Sequence, residues 1–263
     1  MKTLESSHIL ARIIEAKRRR VEASRIRVPE AIVGNMASVT PQPISFHDAL
    51  ARKGARRIIA EVKKASPSKG ILAKDLDVEA LVRTYAESGA AALSVVTEQD
   101  FFQGNLGWVR KAGEASRLPV LRKDFVFDRY QILETRAAGA SALLLIVAML
   151  NVEELKVLLD SAGEAGLDAV VEVHDESEME EALEAGATII GVNNRDLKTF
   201  DVHLETSLRL GKMIPNDVLF IAESGIHNTR DVEFLADAGA NAFLIGEYFL
   251  TADDPGAMLR GLL

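Results

Sequence analysis

The chain has 263 residues, 48% hydrophobic and 27% charged, which is ordinary globular usage with length enough for a sizeable core. A net charge of −8 argues against a general nucleic-acid binder, which needs a basic face to release counterions, though a local Lys/Arg cluster could still hold a phosphorylated ligand. The absence of cysteine excludes disulfides, thiolate metal sites and a cysteine nucleophile.

The opening stretch, MKTLESSHILARIIEAKRRR, puts its basic residues after its apolar ones, the wrong order for a secretory signal. The longest apolar run, Ala142 to Leu150, is too short for a membrane span, so a cytoplasmic protein is expected. Residues 5–27 read as an amphipathic helix, with Ile9, Ile13 and Ala16 at helical spacing. Lys17 to Arg20 fall in its C-terminal half, where the helix dipole favours cations, and read as a solvated face rather than a nucleic-acid patch. Residues 28–45 hold Pro29, Gly34, Pro41 and Pro43 and read as a connecting loop.

From residue 57 a repeat takes over. Strand-like runs fall at Arg57–Lys63, Ala92–Thr97, Val120–Lys123, Ala142–Val147, Ala169–Val173, Thr188–Asn193, Val218–Glu223 and Ala242–Gly246. Helix-like segments occupy the gaps, among them Val78–Ser88, Arg129–Ala138, Val152–Ala165, Glu176–Ala185 and Thr229–Ala238. Many end alike, in ESGAAA, AAGASA, EAGLDA, EAGATI or DAGANA, where the glycine suits a left-handed helix C-cap. Such alternation predicts an α/β fold, a closed (β/α)8 TIM barrel in a single domain, with residues 1–45 as a helical extension packed on it. An open doubly wound sheet is disfavoured, because no Gly-x-Gly-x-x-Gly follows the first strand.

Active sites of such barrels lie at the C-terminal strand ends. Those ends carry Glu61 and Lys63, Lys123, Glu172, Asn193 and Arg195, then Glu223-Ser224-Gly225 and Gly246-Glu247. Glu61 and Lys63 share a strand face by alternation. Carboxylates and ammonium groups at the mouth of an apolar barrel are costly unless paired, so their convergence implies a network with perturbed proton affinities, as acid–base catalysis requires. Ser224-Gly225 and Gly246-Glu247 would offer unobstructed backbone N–H groups to a phosphate, with Glu247 contributing backbone only. Phe101, Phe102, Phe125 and Leu197 lie near strand ends and together could hold an aromatic ring. The histidines 8, 47, 174, 203 and 227 lack ligand-like spacing; Glu172 and His174 could share a metal from one strand face, but no metal site is expected. Lys63 or Lys123 could in principle form a Schiff base.

The ordered motifs AEVKKASPSKG, SVVTEQDFFQGN, LPVLRKDFVFDRYQI, VVEVHDE, GVNNRDLKTF, IAESGI and FLIGE closely resemble the indole-3-glycerol phosphate synthase family of tryptophan biosynthesis, over essentially the whole chain. His203 stands where that family usually has an acidic residue. The resemblance implies a monofunctional carboxy-lyase that needs no cofactor and no obligate protein partner. It would cyclise, decarboxylate and dehydrate 1-(2-carboxyphenylamino)-1-deoxyribulose 5-phosphate. Carried over by motif, the catalytic set is Glu61, Lys63, Lys123, Glu172, Asn193 and Glu223. Lys123 would be the acid of ring closure, Glu172 the proton partner in dehydration and Lys63, paired with Glu61, a second cation; exchange of roles between the two pairs stays open. Asn193, Arg195 and Glu223 match substrate-positioning residues. Ser66, Pro67, Phe102, Phe125, Leu144, Ile146, Arg195 and Leu197 match substrate contacts, Ser66 on the phosphate side. Ser224, Gly225, Gly246 and Glu247 match phosphate contacts. Rival readings are another phosphosugar barrel, such as a phosphoribosylanthranilate isomerase, or a catalytically silent barrel kept as a binding partner.

Overall fold

The computed structural model describes residues 1–2, 9–52 and 56–263; residues 5–8 of the predicted first helix, His8 among them, lie outside these. Eight parallel strands close into a barrel: β1 (Arg57–Val62), β4 (Ala92–Val96), β5 (Val120–Lys123), β6 (Ala142–Ile146), β7 (Asp168–Val173), β8 (Ile189–Asn193), β9 (Leu219–Glu223) and β10 (Ala242–Ile245). Each pairs with its neighbour in sequence, and β1 closes the ring against β10 with Arg57 opposite Ala242. Two short strands, β2 (Ala65–Ser66) and β3 (Gly70–Ile71), pair antiparallel in the loop after β1. The (β/α)8 barrel expected from the repeat is therefore the fold, and its strand positions agree within a residue or so.

The helices after the strands include α4 (Val78–Glu87), α5 (Gly107–Ser116), α6 (Arg129–Ala137), α7 (Val152–Glu164), α8 (Glu176–Glu184), α9 (Glu205–Gly211) and α10 (Thr229–Asp237). The recurring Ala-Gly or Ser-Gly signature is the reason the repeat stays regular. Gly89, Gly139, Gly166, Gly186 and Gly239 all take positive φ, between 69° and 98°. After α4, Ala90 N–H bonds Tyr85 C=O while Gly89 N–H bonds Ala86 C=O, and the same double closure recurs at the other four helices. This is the Schellman arrangement, which satisfies the orphan carbonyls and turns the chain straight into the next strand. The strands it feeds are largely apolar; Leu93, Leu143, Leu145, Val170, Val171 and Ile190 are all completely buried.

Ahead of the barrel come α1 (Ile9–Arg27), α2 (Glu30–Val39) and α3 (Phe46–Ala51). The segment read as a connecting loop thus contains a ten-residue helix. Pro29 sits at its N-cap, where a missing N–H is harmless, and Gly34 faces open space, so neither breaks it. Val33 and Ala37, one turn apart, bury themselves against Val21, Tyr130 and Ala137, and that packing outweighs the weak propensity of a Gly-containing segment.

The basic run of α1 is also not wholly solvated. Arg18, Arg19 and Arg20 are exposed, but Lys17 is buried and its Nζ lies 2.7 Å from Asp124 Oδ1. Asp124, directly after β5, also accepts from Thr97 Oγ1 at 2.6 Å, from Arg122 Nη2 at 3.1 Å and from Phe125 N–H at 2.8 Å. Burial alone would raise the Asp124 carboxyl; Lys17 and Arg122 outweigh it and hold the group well below the usual carboxylate range. Among the described residues, no helix is long and apolar enough to cross a membrane.

Replacing Lys17 with Met would leave Asp124 charged and short of its main partner in a dry site. The expected loss is about 3–5 kcal/mol in urea unfolding, with Lys17→Met/Asp124→Asn recovering a large part of it. A Lys17→Met protein as stable as the parent would show that the pair does not hold α1 down.

Candidate active site

Inside the C-terminal mouth of the barrel lies a cavity of about 670 Å3. Every residue named above as catalytic, substrate-binding or phosphate-binding lines it, from Glu61 and Lys63 on the first strand end to Gly246 and Glu247 on the last. Parallel strands ending at one level bring these side chains together although they are far apart in sequence.

Two lysines organise the floor. Lys63 Nζ lies 2.5 Å from Glu61 Oε1, an i,i+2 pair on one strand face. Lys123 Nζ lies 3.0 Å from Glu172 Oε2 and 2.6 Å from Glu223 Oε2. Glu61, Glu172 and Glu223 are all nearly fully buried. The acid expected opposite Lys123 was Glu172; Glu223 is the nearer partner. Room for these carboxylates comes from missing side chains. A Cβ at Gly191 would stand 2.4 Å from Glu223 Oε1, and one at Gly246 would stand 2.5 Å from Glu61 Oε1. Gly246 therefore serves the floor as well as any phosphate contact.

The two carboxylates of Lys123 differ in their surroundings. Glu172 has a second cationic neighbour, His174, whose Nε2 is 3.3 Å from Glu172 Oε1. Burial would raise Glu172, but Lys123 and His174 outweigh burial and keep it well below the ordinary carboxylate range. Glu223 Oε1 is buried with no hydrogen-bond partner. Burial, helped by the charges of Glu172 and Glu61, outweighs Lys123 there and pushes Glu223 up to about 7. Burial would lower Lys123, yet Glu172, Glu223 and Glu61 together raise it above the ordinary ammonium value, so it stays charged.

Around this floor stand the walls. The Phe102 and Phe125 rings are tilted at 41° with centroids 6.1 Å apart, and Leu144, Ile146 and Leu197 add apolar surface. Asn193 Oδ1 accepts from Ser224 Oγ at 2.8 Å and from Arg195 N–H at 3.1 Å. Ser224 and Gly225 both take left-handed backbone, φ +69° and +82°. Gly246 precedes the short helix α11 (Glu247–Leu250), and the Glu247 carboxylate turns toward Lys69 at 3.5 Å and Arg195 at 3.7 Å. Ser66 Oγ accepts from Lys69 N–H at 3.2 Å, shaping the turn that carries Pro67.

Sequence reasoning missed three contributors. Ile9, Leu10 and Ile13 of α1 line the cavity, so the extension is part of its wall. Glu98 is fully buried and accepts from the N–H groups of Asp100, Phe101 and Phe102 at 2.9, 2.7 and 3.0 Å, fixing the loop that presents Phe102. Asn194 donates to Ser224 C=O at 3.2 Å and accepts from Ser207 N–H at 3.1 Å, anchoring the left-handed turn. The acid of the TE pair and the second Asn of VNN were visible signals, each adjacent to a predicted strand end. Phe101, by contrast, sits under the Arg12 guanidinium at 5.8 Å rather than lining the cavity. Both ring nitrogens of His174 face carboxylates, and among the described residues no group of three or more His, Cys, Asp or Glu could hold a metal.

Comparison with known proteins follows the same lines. The family described as indole-3-glycerol phosphate synthase matches residues 10–262. An indole-3-glycerol phosphate synthase of Roseiflexus sp. (strain RS-1) is 47% identical over 262 residues, covering 97% of each chain. That of Chlorobium phaeovibrioides is 47% identical over 239 residues, covering 90% of this chain and 93% of its own. Among solved structures, 3-hexulose-6-phosphate synthase from Salmonella typhimurium superposes with a TM-score of 0.64 at 16% identity, over 78% of this chain and 96% of that one. Thiamine phosphate pyrophosphorylase from Pyrococcus furiosus gives 0.59 at 16% identity, over 79% of this chain and 93% of that one. At such identities the likeness is one of fold alone.

Glu223 binds its proton more tightly in the folded chain than in the unfolded one, where its affinity is the ordinary one of about 4.3. Stability contributed by that proton is present below the unfolded value and lost as pH rises toward 7. Glu223→Gln should therefore raise Tm at pH 8 by several degrees and change it little at pH 4, measured by calorimetry. A gain equal at both pH values would contradict the assignment.

Proposed function

The chain belongs to the indole-3-glycerol phosphate synthase family, and from that premise we propose how its strand ends divide the chemistry. Its function is to form indole-3-glycerol phosphate in tryptophan biosynthesis, as a carboxy-lyase. The substrate is the phosphorylated ribulose derivative of anthranilate, which loses CO2 and water. The observation that carries the division of labour is a lysine ammonium held between two buried carboxylates, beneath a pair of aromatic walls.

The anthranilate ring lies against Phe102 and Phe125, with Pro67, Leu144, Ile146 and Leu197 completing an apolar slot. This orients the ring carbon bearing the carboxylate toward the ribulose C2 carbonyl. As the C–C bond forms, the carbonyl π pair moves to oxygen, which takes a proton from Lys123. The resulting iminium draws in the electrons of the breaking bond to CO2, and the ring becomes aromatic again. In dehydration the C2 hydroxyl leaves with a proton from Lys63, while a C1 proton passes to Glu172. Two protons are given and one received, so each turnover takes one proton from solvent, as loss of CO2 from a carboxylate requires.

Glu172 suits this role because it stays ionised, and Lys123 because its carboxylates keep it an ammonium until the carbonyl demands a proton. Glu61 holds Lys63 in place. Asn193, Arg195 and Glu223 position the ribulose chain. The phosphate rests against the backbone N–H groups of the Ser224-Gly225 turn and of Gly246-Glu247, with Ser66 across the mouth. Charge on the Glu247 side chain is directed at Lys69 and Arg195. A cytoplasmic location, and action without an obligate protein or nucleic-acid partner, belong to the same proposal and are supported by the family's biosynthetic role.

Three measurements test it. Lys123→Ala should lower kcat by roughly 10²–10⁴ with the ring-closure product absent, the range for a positioned general acid. Lys63→Ala should instead accumulate the cyclised, decarboxylated alcohol; a KM effect alone in either variant would reassign that lysine to binding. Sulfate soaked into crystals should occupy the turns at Ser224-Gly225 and Gly246-Glu247, and empty turns would contradict the phosphate placement.

A further inference from the structure

His174 takes no part in the steps above, yet both of its ring nitrogens face carboxylates. It follows β7 and is largely buried, with its Nδ1 2.9 Å from Glu178 Oε2 and its Nε2 3.3 Å from Glu172 Oε1. Its backbone N–H donates to the same Glu178 oxygen at 2.8 Å. A neutral imidazole has one N–H donor and one lone pair, so one of these carboxylates would face a lone pair. Only the imidazolium suits both.

We propose that His174 is a permanently protonated positioning residue that holds Glu172 as a carboxylate, so that the proton shared over Lys123 resides on Glu223. This rests on the reading of Glu172 as the base of dehydration. The charged groups facing the ring are Glu172 on its own strand, Glu178 on α8 and Asp196 in the loop after β8; Lys123 of β5 faces the far side of Glu172. The packed turn at residues 147–149 adds only Val147, Ala148 and Met149. Burial opposes the ring's charge, and the two carboxylates, Glu172 paired with Nε2 by charge and Glu178 hydrogen-bonded at Nδ1, overcome it, carrying His174 up to about 10. Glu172 thus lies between two cations, whereas Glu223 keeps one buried oxygen without a partner, where a proton can reside.

Nitrogen-15 NMR of the ring in the whole protein should show both nitrogens protonated from pH 6 to 9. A ring titrating near the unperturbed value of about 6.5 would overturn the proposal. His174→Gln should move the acid limb of the kcat profile up by about one pH unit, a tenfold lower kcat at any pH on that limb, since Glu172 then protonates more easily. His174→Lys, which restores a cation, should return the limb toward its original place. A uniform fall in kcat with an unmoved limb would reduce His174 to a packing residue. Should Glu172→Gln retain full activity, the base assignment fails instead, whatever the ring's protonation.

Discussion

Concentrating ionised groups at the mouth of an apolar barrel is the demand around which this structure is arranged. Three carboxylates, Glu61, Glu172 and Glu223, are withdrawn from water at the ends of three different strands. Each has a cation in reach, and two glycines leave the space that two of the carboxylates occupy. A charge left alone there would cost several kcal/mol, so the groups can be present only as a set. Asymmetry within the set is what gives it chemistry. Glu172 is flanked by two cations and Glu223 shares one, so neighbours on the same lysine hold protons with different strength.

Much of this was written legibly in the chain. The barrel could be read because five of its helices end in the same small-residue and glycine signature, which has one geometric solution and feeds directly into a strand. The site could be read because strand ends are where apolar runs stop, and polar residues at those points share a level once the strands are parallel. Pairing was less legible. Which carboxylate stands nearest Lys123 depends on side chains reaching across the barrel mouth from β7 and β9, neither of which pairs with β5, and no local pattern encodes it.

The errors before the first strand have a different origin. Pro29 and Gly34 dominated the reading of residues 28–45, although Val33 and Ala37 carry the helical spacing that decides the outcome. Lys17 was counted with its arginine neighbours. It stands one turn beyond Ile13 and one turn before Val21, both buried, so it belongs to the buried stripe of α1. The signal was its phase, and its charge hid it. A partner for a buried ammonium is set by tertiary placement, and Asp124 is more than a hundred residues away.

That stripe has a consequence for the order of events as the chain is made. Beyond its packing on α2, α1 is seated by Arg20 with Asp100, Lys17 with Asp124, Arg25 with Asp128, and Val21 against Tyr130 and Ala137. All of them come from one arc of the ring, β4 to α6, synthesised about a hundred residues later. Translated well ahead of that arc, α1 has little beyond α2 to pack on until the arc exists. Closing so long a loop before any contact compensates makes such docking slow compared with adjacent strand–helix pairing. Because Ile9, Leu10 and Ile13 line the cavity, the reaction chamber is complete only after the arc that receives α1 has formed.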